Sequence, residues 1–366
     1  MPSQITNYQC PSCTGPLHYA GASGKLECEY CGNSFAVAEI EALYGDQVEK
    51  AEDAFEAAQA DRGEWDLSGL KEDWGTDEEK MKAYNCPSCG AQLICEETTA
   101  ATACPYCGNP TIVPGQFCGT LRPDYVIPFK LSKEDAKAAL KRFYKGKKLL
   151  PKTFAEENHI AEIKGIYVPF WLFDGTANAN LTFKTTRSRR YRRGDVEITE
   201  TDHFLVRRAG KLAFEKIPVD ASSKMPDEHM DSIEPFDYGG LKDFSTAYLP
   251  GFFADKYDVD AKESAPRADA RCKASAISAL TATVLGYDTV IPVRQDVALE
   301  RGAVKYAMLP VWMLKTKWQG KDFLFAMNGQ TGKLIGDLPI SWGKFWVWFA
   351  GIFVPTAVIT AIVLFG

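Results

Sequence analysis

Eight of the eleven cysteines fall into two frames of identical spacing, C-x2-C-x14-C-x2-C. The first frame is Cys10, Cys13, Cys28 and Cys31, and the second is Cys86, Cys89, Cys104 and Cys107. Facing C-x2-C turns of this kind supply four thiolates to one tetrahedral zinc ion, as in zinc ribbons. Because each ribbon contains little apolar material, the metal must stabilise its fold. The sequence therefore predicts two zinc ions, with these eight cysteines as ligands.

The cysteines also indicate whether the zinc sites are structural or catalytic, and in which redox compartment the protein is found. A zinc ion held by four thiolates has no open position, so both sites are predicted to be structural rather than catalytic. Of the three other cysteines (Cys95, Cys118 and Cys272), Cys95 alternates with Leu93 along a hairpin arm and is expected to pack as an apolar residue. Thiolates kept free for metal favour a reducing compartment. The first 20 residues contain no basic residue and no apolar run, so we expect no secretory signal and a cytoplasmic N-terminus.

Residues 345–366 carry no charge at all. As a helix they would be about 33 Å long, enough to cross a hydrocarbon core of about 30 Å. Three tryptophans form an aromatic belt at the start of this segment: Trp342, Trp346 and Trp348. The nearest basic residues, Lys333 and Lys344, precede the segment. The pattern predicts a single-pass transmembrane anchor in the cell membrane at residues 342–366, with the rest of the protein on the cytoplasmic side. The alternative is a buried core helix, although such helices are usually shorter and amphipathic.

The rest of the chain divides by composition. We expect ribbon 1 at residues 1–36, an acidic connector at 37–83, ribbon 2 at 84–118 and an α+β domain at 119–341. Within the connector, residues 39–80 contain 15 acidic residues and four basic ones, which gives this stretch a net charge of −11. Apolar residues recur at helical spacing over residues 37–60, which predicts a helix with a narrow apolar stripe. This helix either docks on a partner or is a solvated spacer.

From residue 121 onwards, short β-like runs alternate with helical patterns. "IYVPFWLF" (166–173) and "YAMLPVWML" (306–314) resemble each other, which predicts an internal duplication of a strand pair. Helices are expected at 132–145, where Ser132 and Asp135 match a capping box, and at 265–285. The fold class is therefore α+β, with two four-cysteine zinc ribbons, a helical connector and one transmembrane helix.

Neither ribbon has the charge that a nucleic-acid-binding module needs. Non-specific affinity for nucleic acid comes chiefly from Lys and Arg, yet ribbon 1 has only Lys25 and there is no basic residue between Lys82 and Arg122. Basic charge is concentrated instead at 130–148 and 184–193. The first of these segments is an amphipathic helix with three open alternatives: contact with anionic lipid, docking on the acidic connector, or a solvated face. Protein partners are favoured over nucleic acid.

No catalytic motif stands out. "NGQTGK" (328–333) has the wrong spacing for a phosphate loop and is better explained as a hairpin turn. The four histidines match no triad or metalloprotease pattern, and the acidic run at 227–231 suggests a solvated loop. We therefore expect no enzymatic activity and no small-molecule substrate.

The two ribbons, together with "YVPFWLFDG", "SIEPFDY", "LPVWML", "FAMNGQTGK" and the terminal apolar helix, resemble a family of bacterial TFIIB-type zinc-ribbon membrane proteins. Members are sometimes labelled primosomal helicases, but this chain contains no helicase motif. Some of their genes neighbour phage-shock-protein-A-like and flotillin-like membrane-stress genes, which implies a membrane adaptor. The sequence thus predicts a membrane-anchored scaffold that recruits protein partners. The rivals are a membrane-tethered nucleic-acid-binding protein and, more weakly, an enzyme that uses the α+β domain.

Overall fold

The computed structural model describes residues 8, 10–13, 15–21, 23–44, 60–75, 81–96, 104–107, 109, 113–115, 121–156 and 163–365. Within them the protein is α+β, as the sequence predicts, with two cysteine clusters, a large sheet and one long apolar helix. The chain divides into two compact units. Unit 1 comprises Met1–Glu64, Gly175–Phe214 and Asp269–Gly302, and unit 2 comprises Trp65–Asp174, Glu215–Ala268 and Ala303–Gly366. The domain boundaries predicted from the sequence remain predictions.

In unit 1, ribbon 1 forms a small antiparallel sheet of its own. Its strands are β1 (Leu17–Ala20), β2 (Lys25–Cys28) and β3 (Ser34–Ala36), with β2 in the centre. A helix, α1, follows directly at residues 37–44 and buries Ile40. The first part of the predicted connector helix is therefore confirmed, and residues 45–59 lie outside the described part of the chain.

In the described ranges of the chain, the large sheet has eleven strands. They are β4 (Met81–Asn85), β5 (Gln92–Glu96), β6 (Val113–Gly115), β7 (Tyr125–Val126), β8 (Lys164–Arg193), β9 (Val196–Asp220), β10 (Lys242–Asp243), β11 (Phe253–Asp255), β12 (Thr289–Trp318), β13 (Lys321–Asn328) and β14 (Leu334–Gly336). The main order is β10-β7-β12-β8-β11-β5-β4-β6, while β9 pairs with β8, β13 with β12, and β14 with β13. The two similar sequence stretches thus lie on β8 and β12, which are neighbours in the sheet.

The central strands are apolar because both of their faces are covered. Residues 165–173 of β8 are buried without interruption, as expected for a strand with side chains packed on both sides. Ile166, Val168, Phe170 and Leu172 belong to one core cluster. The intervening Tyr167, Trp171 and Phe173 belong to a second cluster on the other face, in keeping with the two-residue period of a strand.

Among the residues that the structure describes, five further α-helices are α2 (Lys133–Tyr144), α3 (Lys152–Glu156), α4 (Asp227–Ser232), α5 (Ala261–Thr281) and α6 (Trp342–Phe365). The capping box of α2 is confirmed, because the Ser132 hydroxyl accepts from the Asp135 N–H while the Asp135 carboxylate accepts from the Ser132 N–H. Helix α5 begins earlier than predicted. The Asp260 carboxylate accepts from the Glu263 N–H at 2.7 Å, and this cap starts the helix before Pro266.

The predicted hairpin turn at "NGQTGK" is also confirmed. β13 ends at Asn328, and it pairs antiparallel with β14, with Met327 opposite Leu334. The Asn328 side-chain oxygen accepts from the N–H groups of Gln330 and Thr331, both at 2.9 Å, which closes the turn locally.

Candidate metal centres

The first predicted cysteine set comes together in ribbon 1. All four Sγ atoms lie within 4.8 Å of one another. The Cys10 and Cys31 Sγ atoms are 3.6 Å apart, and those of Cys13 and Cys28 are 3.4 Å apart. Four thiolates at about 2.3 Å around one zinc ion in a tetrahedron would be about 3.8 Å from each other. The cluster therefore has the size that one metal ion requires.

The second set comes together in ribbon 2 with the same geometry. The distance between the Cys86 and Cys107 Sγ atoms is 3.5 Å, and that between the Cys89 and Cys104 Sγ atoms is 3.7 Å. All four again lie within 4.8 Å of one another. The described residues thus hold two four-cysteine groups compatible with two metal ions, as predicted. Four sulfur donors suit zinc, although the spacing alone does not select it over iron.

One backbone pattern builds all four C-x2-C turns. The N–H of the first cysteine donates to the carbonyl five residues later, at 2.7 to 2.9 Å. These pairs are Cys10 to Gly15, Cys28 to Asn33, Cys86 to Ala91, and Cys104 to Asn109. Gly32 and Gly90 adopt φ values of 73° and 70°, the left-handed conformation that favours glycine after the second cysteine. The turns are local, which is why spacing alone predicts them.

The thiols within each cluster differ in acidity. Burial raises the pKa of the Cys10 thiol, but the backbone N–H groups of Ser12 and Cys13 and the neighbouring thiols outweigh burial and bring the pKa to about 7. Burial likewise raises the pKa of Cys86, and N–H groups of the same turn outweigh it, again to about 7. Burial raises the pKa of Cys104, and the Cys89 side chain raises it further. Four ionised thiolates therefore need a cation at the centre, which a divalent metal supplies.

Ribbon 2 is built into the large sheet. Strand β5 pairs with β4 on one side and with β11 on the other, where Leu93 lies opposite Asp255 and Ile94 opposite Ala254. Cys86, Cys104 and the fully buried Leu93 belong to the same core cluster as the central strand β8. Cysteine spacing alone predicts a small separate module at ribbon 2. The structure shows instead that its C-x2-C turns contribute to the core of unit 2.

A buried carboxyl group joins the second C-x2-C turn of ribbon 2 to this core. The Tyr106 hydroxyl, between Cys104 and Cys107, donates to the Asp255 carboxylate at 2.5 Å, and the Ser222 hydroxyl donates to the same oxygen at 2.6 Å. Burial raises the pKa of Asp255 to about 7, although the hydrogen bonds from Ser222 and Tyr106 act in the opposite direction. No sequence motif marks Asp255, which comes near ribbon 2 only through the pairing of β11 with β5.

Ribbon 1 has a different surface. Cys13 and Cys31 are exposed there, whereas Cys89 and Cys107 of ribbon 2 are partly buried. Two aromatic side chains of ribbon 1 also face solvent: Tyr19 is 63% exposed and Tyr30 is 78% exposed. Of the three other cysteines, Cys272 is buried in α5, while the Cys95 side chain and the whole of Cys118 lie outside the described part of the chain.

Helix α6 is long and apolar enough to cross a membrane. Its apolar window, Trp342–Thr360, has no buried residue in the structure. The hydroxyl of Thr356 donates to the Ile352 carbonyl at 2.9 Å, and that of Thr360 donates to the Thr356 carbonyl at 2.8 Å. Polar groups are thereby satisfied within the helix, as a lipid environment demands. The direction of crossing and the identity of the membrane remain predictions.

The second basic segment, 184–193, is partly neutralised across its own hairpin. Arg189 lies 3.7 Å from a Glu200 oxygen and 3.4 Å from an Asp202 oxygen, and Arg190 lies 3.4 Å from Glu197. The arginines are on β8 and the acids are on β9, so strand pairing sets positive charge against negative charge. The segment is therefore less basic as a surface than its sequence suggests.

The acidic run at 227–231 is not a solvated loop, so that interpretation was wrong. It forms helix α4, and the Arg267 guanidinium lies 3.0 Å from Asp227 and 2.6 Å from Asp231. The same guanidinium contacts the buried Asp220 at 2.6 Å. Burial raises the pKa of Asp220 to about 6, while Arg267 acts in the opposite direction. These acids form a structural ion-pair network that holds α4 against α5.

No family model matches the chain, and no solved structure matches it. A similar protein is "Uncharacterized protein YdjG" of Bacillus subtilis (strain 168), which is 37% identical over 348 residues. The match covers 95% of this chain and 94% of that relative. The similarity therefore extends far beyond the two cysteine clusters.

Proposed function

The chain belongs to the same protein family as YdjG of Bacillus subtilis, and on this premise we propose that it is a membrane-anchored zinc-ribbon scaffold that recruits protein partners at the cytoplasmic face of the cell membrane. The relative matches nearly the whole chain, so a function should use the ribbons, the sheet and the apolar helix together. No catalytic role is proposed for any residue.

The proposal includes two zinc ions with different roles. Four thiolates around a closed tetrahedral site suit zinc in a structural role. In ribbon 2 the ion would hold together the turns that close the core of unit 2. In ribbon 1 it would hold a small independent sheet, whose outer surface would bind another molecule.

The observation that carries the recruiting role is the surface of ribbon 1. Tyr19 and Tyr30 are exposed, and the only lysine or arginine in the sequence of the ribbon is Lys25, on the same strand as Glu27 and four residues before Glu29. Exposed tyrosines with few lysines are typical of protein interfaces. A phosphate backbone, in contrast, requires basic side chains to replace its counterions. This surface therefore suits a protein partner better than a nucleic acid.

The apolar helix α6 supports the membrane part of the proposal. Basic residues, including Lys148 and Lys344, precede its charge-free segment in the chain, which favours a cytoplasmic position for the folded units. Confinement to a surface raises the effective concentration of a binding module, so weak contacts of ribbon 1 would suffice for recruitment. The resemblance to zinc-ribbon membrane proteins makes membrane-stress proteins the first partners to test.

The proposal is tested by crosslinking and pull-down of the full chain from membranes. We compare the wild type with the double variant Tyr19→Ala/Tyr30→Ala and with the control Tyr191→Ala, which removes an exposed tyrosine (48% exposed) from the β8–β9 hairpin. We expect the double variant to lose its captured proteins and the control to retain them. DNA binding is measured in parallel at physiological salt. Tight, salt-sensitive DNA binding by the wild type would instead support a membrane-tethered nucleic-acid-binding protein.

A further inference from the structure

The segment after α2, residues 145–150, is fixed to the start of α6. The Leu149 carbonyl accepts from the Ser341 N–H at 2.9 Å, and the Leu150 carbonyl accepts from the Lys344 ammonium at 2.5 Å. The Lys148 ammonium lies 4.2 Å from the centre of the Trp348 ring, a cation–π contact. Three contacts thus place one basic segment beside one end of the apolar helix.

These contacts also set the depth of the segment relative to a membrane that α6 would cross. Trp342, Trp346 and Trp348 are 44% to 66% exposed along the first two turns of α6. Tryptophans at such positions lie at the level of the lipid headgroups. Lys148 contacts this belt directly, and Lys145 and Lys147 are within about 10 Å of it along the chain. The Lys148 ammonium is therefore held at headgroup level, and Lys145 and Lys147 lie on the same short segment, where the Lys147 ammonium is 5.1 Å from the centre of the Phe143 ring.

The charge around this segment is uniformly positive. Residues 136–150 contain six basic residues and no acidic one. Lys145, Lys147 and Lys148 are exposed, and none of them forms an ion pair with a carboxylate in the described part of the chain. The nearest acids before the segment, Glu134 and Asp135, are in the first turn of α2, about 15 Å away along the helix axis, and the first acid after it is Glu156, eight residues beyond Lys148.

The contacts of the described residues support neither of two other roles for this basic segment, docking on the acidic connector or a simple solvated face. Where the acidic connector is described, Asp61 pairs with Lys273 at 3.0 Å and with Arg301 at 3.1 Å, not with α2 or the turn after it. An ordinary solvated face would not need to be fixed to α6. A cluster of flexible ammonium groups is instead well suited to bind phosphate oxygens.

We propose that Lys145, Lys147 and Lys148, held against the start of α6, form a binding site for the phosphate groups of anionic phospholipids. This inference rests on the proposed function only in requiring that α6 crosses a membrane, and it is independent of what ribbon 1 binds. The site would select the anionic leaflet and would fix the position of unit 2 at the membrane surface. Each basic residue near an anionic surface raises the apparent affinity about fivefold.

The test is electron paramagnetic resonance of spin-labelled lipids with the full chain reconstituted in phosphatidylcholine bilayers. Spin-labelled phosphatidylglycerol and phosphatidylcholine are compared by the fraction that the protein immobilises. The test variant is Lys145→Glu/Lys147→Glu, which leaves the Lys148–Trp348 contact in place. The matched control, Lys262→Glu/Lys321→Glu, makes the same change in charge at two exposed lysines elsewhere. Metal content and tryptophan emission verify that both variants are folded.

We expect the wild type and the control to prefer phosphatidylglycerol by about fivefold or more, a preference that high salt reduces. The test variant should bind both lipids nearly equally. Equal binding of the two lipids by the wild type would overturn the inference.

Inorganic phosphate is added in a further arm, at the ionic strength of a chloride control. Specific loss of the preference in phosphate would show that the site takes free anions, which also overturns the inference. If the chain does not enter bilayers, the membrane anchor and this lipid site are both refuted. If the pull-down captures no protein partners, the recruiting role of ribbon 1 is refuted and the lipid site is unaffected.

Discussion

The hydrogen bond between Tyr106 and Asp255 gives a quantitative test of how ribbon 2 is joined to the core of unit 2. We consider Tyr106→Phe, which removes only the hydroxyl that donates to the buried Asp255 carboxyl at 2.5 Å. A hydrogen bond to a charged group contributes about 1.5–3 kcal/mol, and one between neutral groups contributes about 0.5–1.5 kcal/mol. The cost of the substitution should therefore depend on whether Asp255 is ionised.

The pKa of Asp255 sets the direction of this dependence. Burial raises the pKa of this carboxyl from 3.8 to about 7, so the folded protein holds the proton more tightly than the unfolded chain. The contribution of Asp255 to the free energy of unfolding is therefore greatest at low pH, and it falls as the pH rises from about 4 to about 7. At pH 8 Asp255 is mostly ionised and depends on its donors, whereas at pH 6 it is mostly protonated. Tyr106→Phe should thus cost about 2 kcal/mol at pH 8 and about 1 kcal/mol at pH 6.

Thermal unfolding in detergent, followed by tryptophan fluorescence, measures the effect. Unit 2 contains roughly 230 residues, for which 1 kcal/mol corresponds to about 2–4 °C in Tm. We expect Tm to fall by about 4–8 °C at pH 8 and by about half as much at pH 6. The control is Tyr144→Phe, because burial raises the pKa of Tyr144 to about 12 and its hydroxyl forms no hydrogen bond among the described residues. An equal loss at both pH values, or no loss beyond that of the control, would refute the coupling.

Three further predictions concern the metals and the anchor. Elemental analysis should find two zinc ions per chain, and a single zinc ion, or iron in its place, would contradict two complete four-cysteine zinc sites. Cys104→Ser should release one metal ion and lower the Tm of unit 2. Cys28→Ser should also release one metal ion but leave the Tm of unit 2 unchanged, because ribbon 1 forms its own sheet. Equal losses of Tm in the two variants would argue against a structural role specific to ribbon 2. Deletion of residues 345–366 should move the protein to the soluble fraction, and a truncated chain that still sediments after high-salt washing would reveal a second anchor.

Features that depend on neighbouring residues could be predicted from the sequence. The C-x2-C turns close through hydrogen bonds within six residues, so their spacing identifies both cysteine sets. The capping box of Ser132 and Asp135 and the turn at Asn328 are equally local, and both are confirmed. The charge-free length of α6 likewise needs no tertiary information. These features predict the α+β class, the two candidate metal centres and the helix that can cross a membrane.

What the sequence could not predict depends on pairing between distant residues. Ribbon 2 joins the large sheet because Leu93 and Asp255 become neighbours, although 161 residues lie between them in the chain. The pairing of Arg189 with Glu200 follows from the register of a long hairpin, which composition does not reveal. The role of the basic segment at 130–148 is open in the sequence for the same reason, since only contacts between distant residues, such as Lys148 and Trp348, place the end of this segment beside α6.

The most direct test of the scaffold proposal is a photoreactive benzophenone side chain in place of Tyr19 of the full chain in native membranes. Irradiation followed by gel electrophoresis and mass spectrometry identifies whatever contacts that position of ribbon 1. We predict protein adducts at position 19 and none at position 191, where the same side chain serves as the control. Adducts to nucleic acid at position 19, or the same proteins captured at both positions, would contradict the proposal.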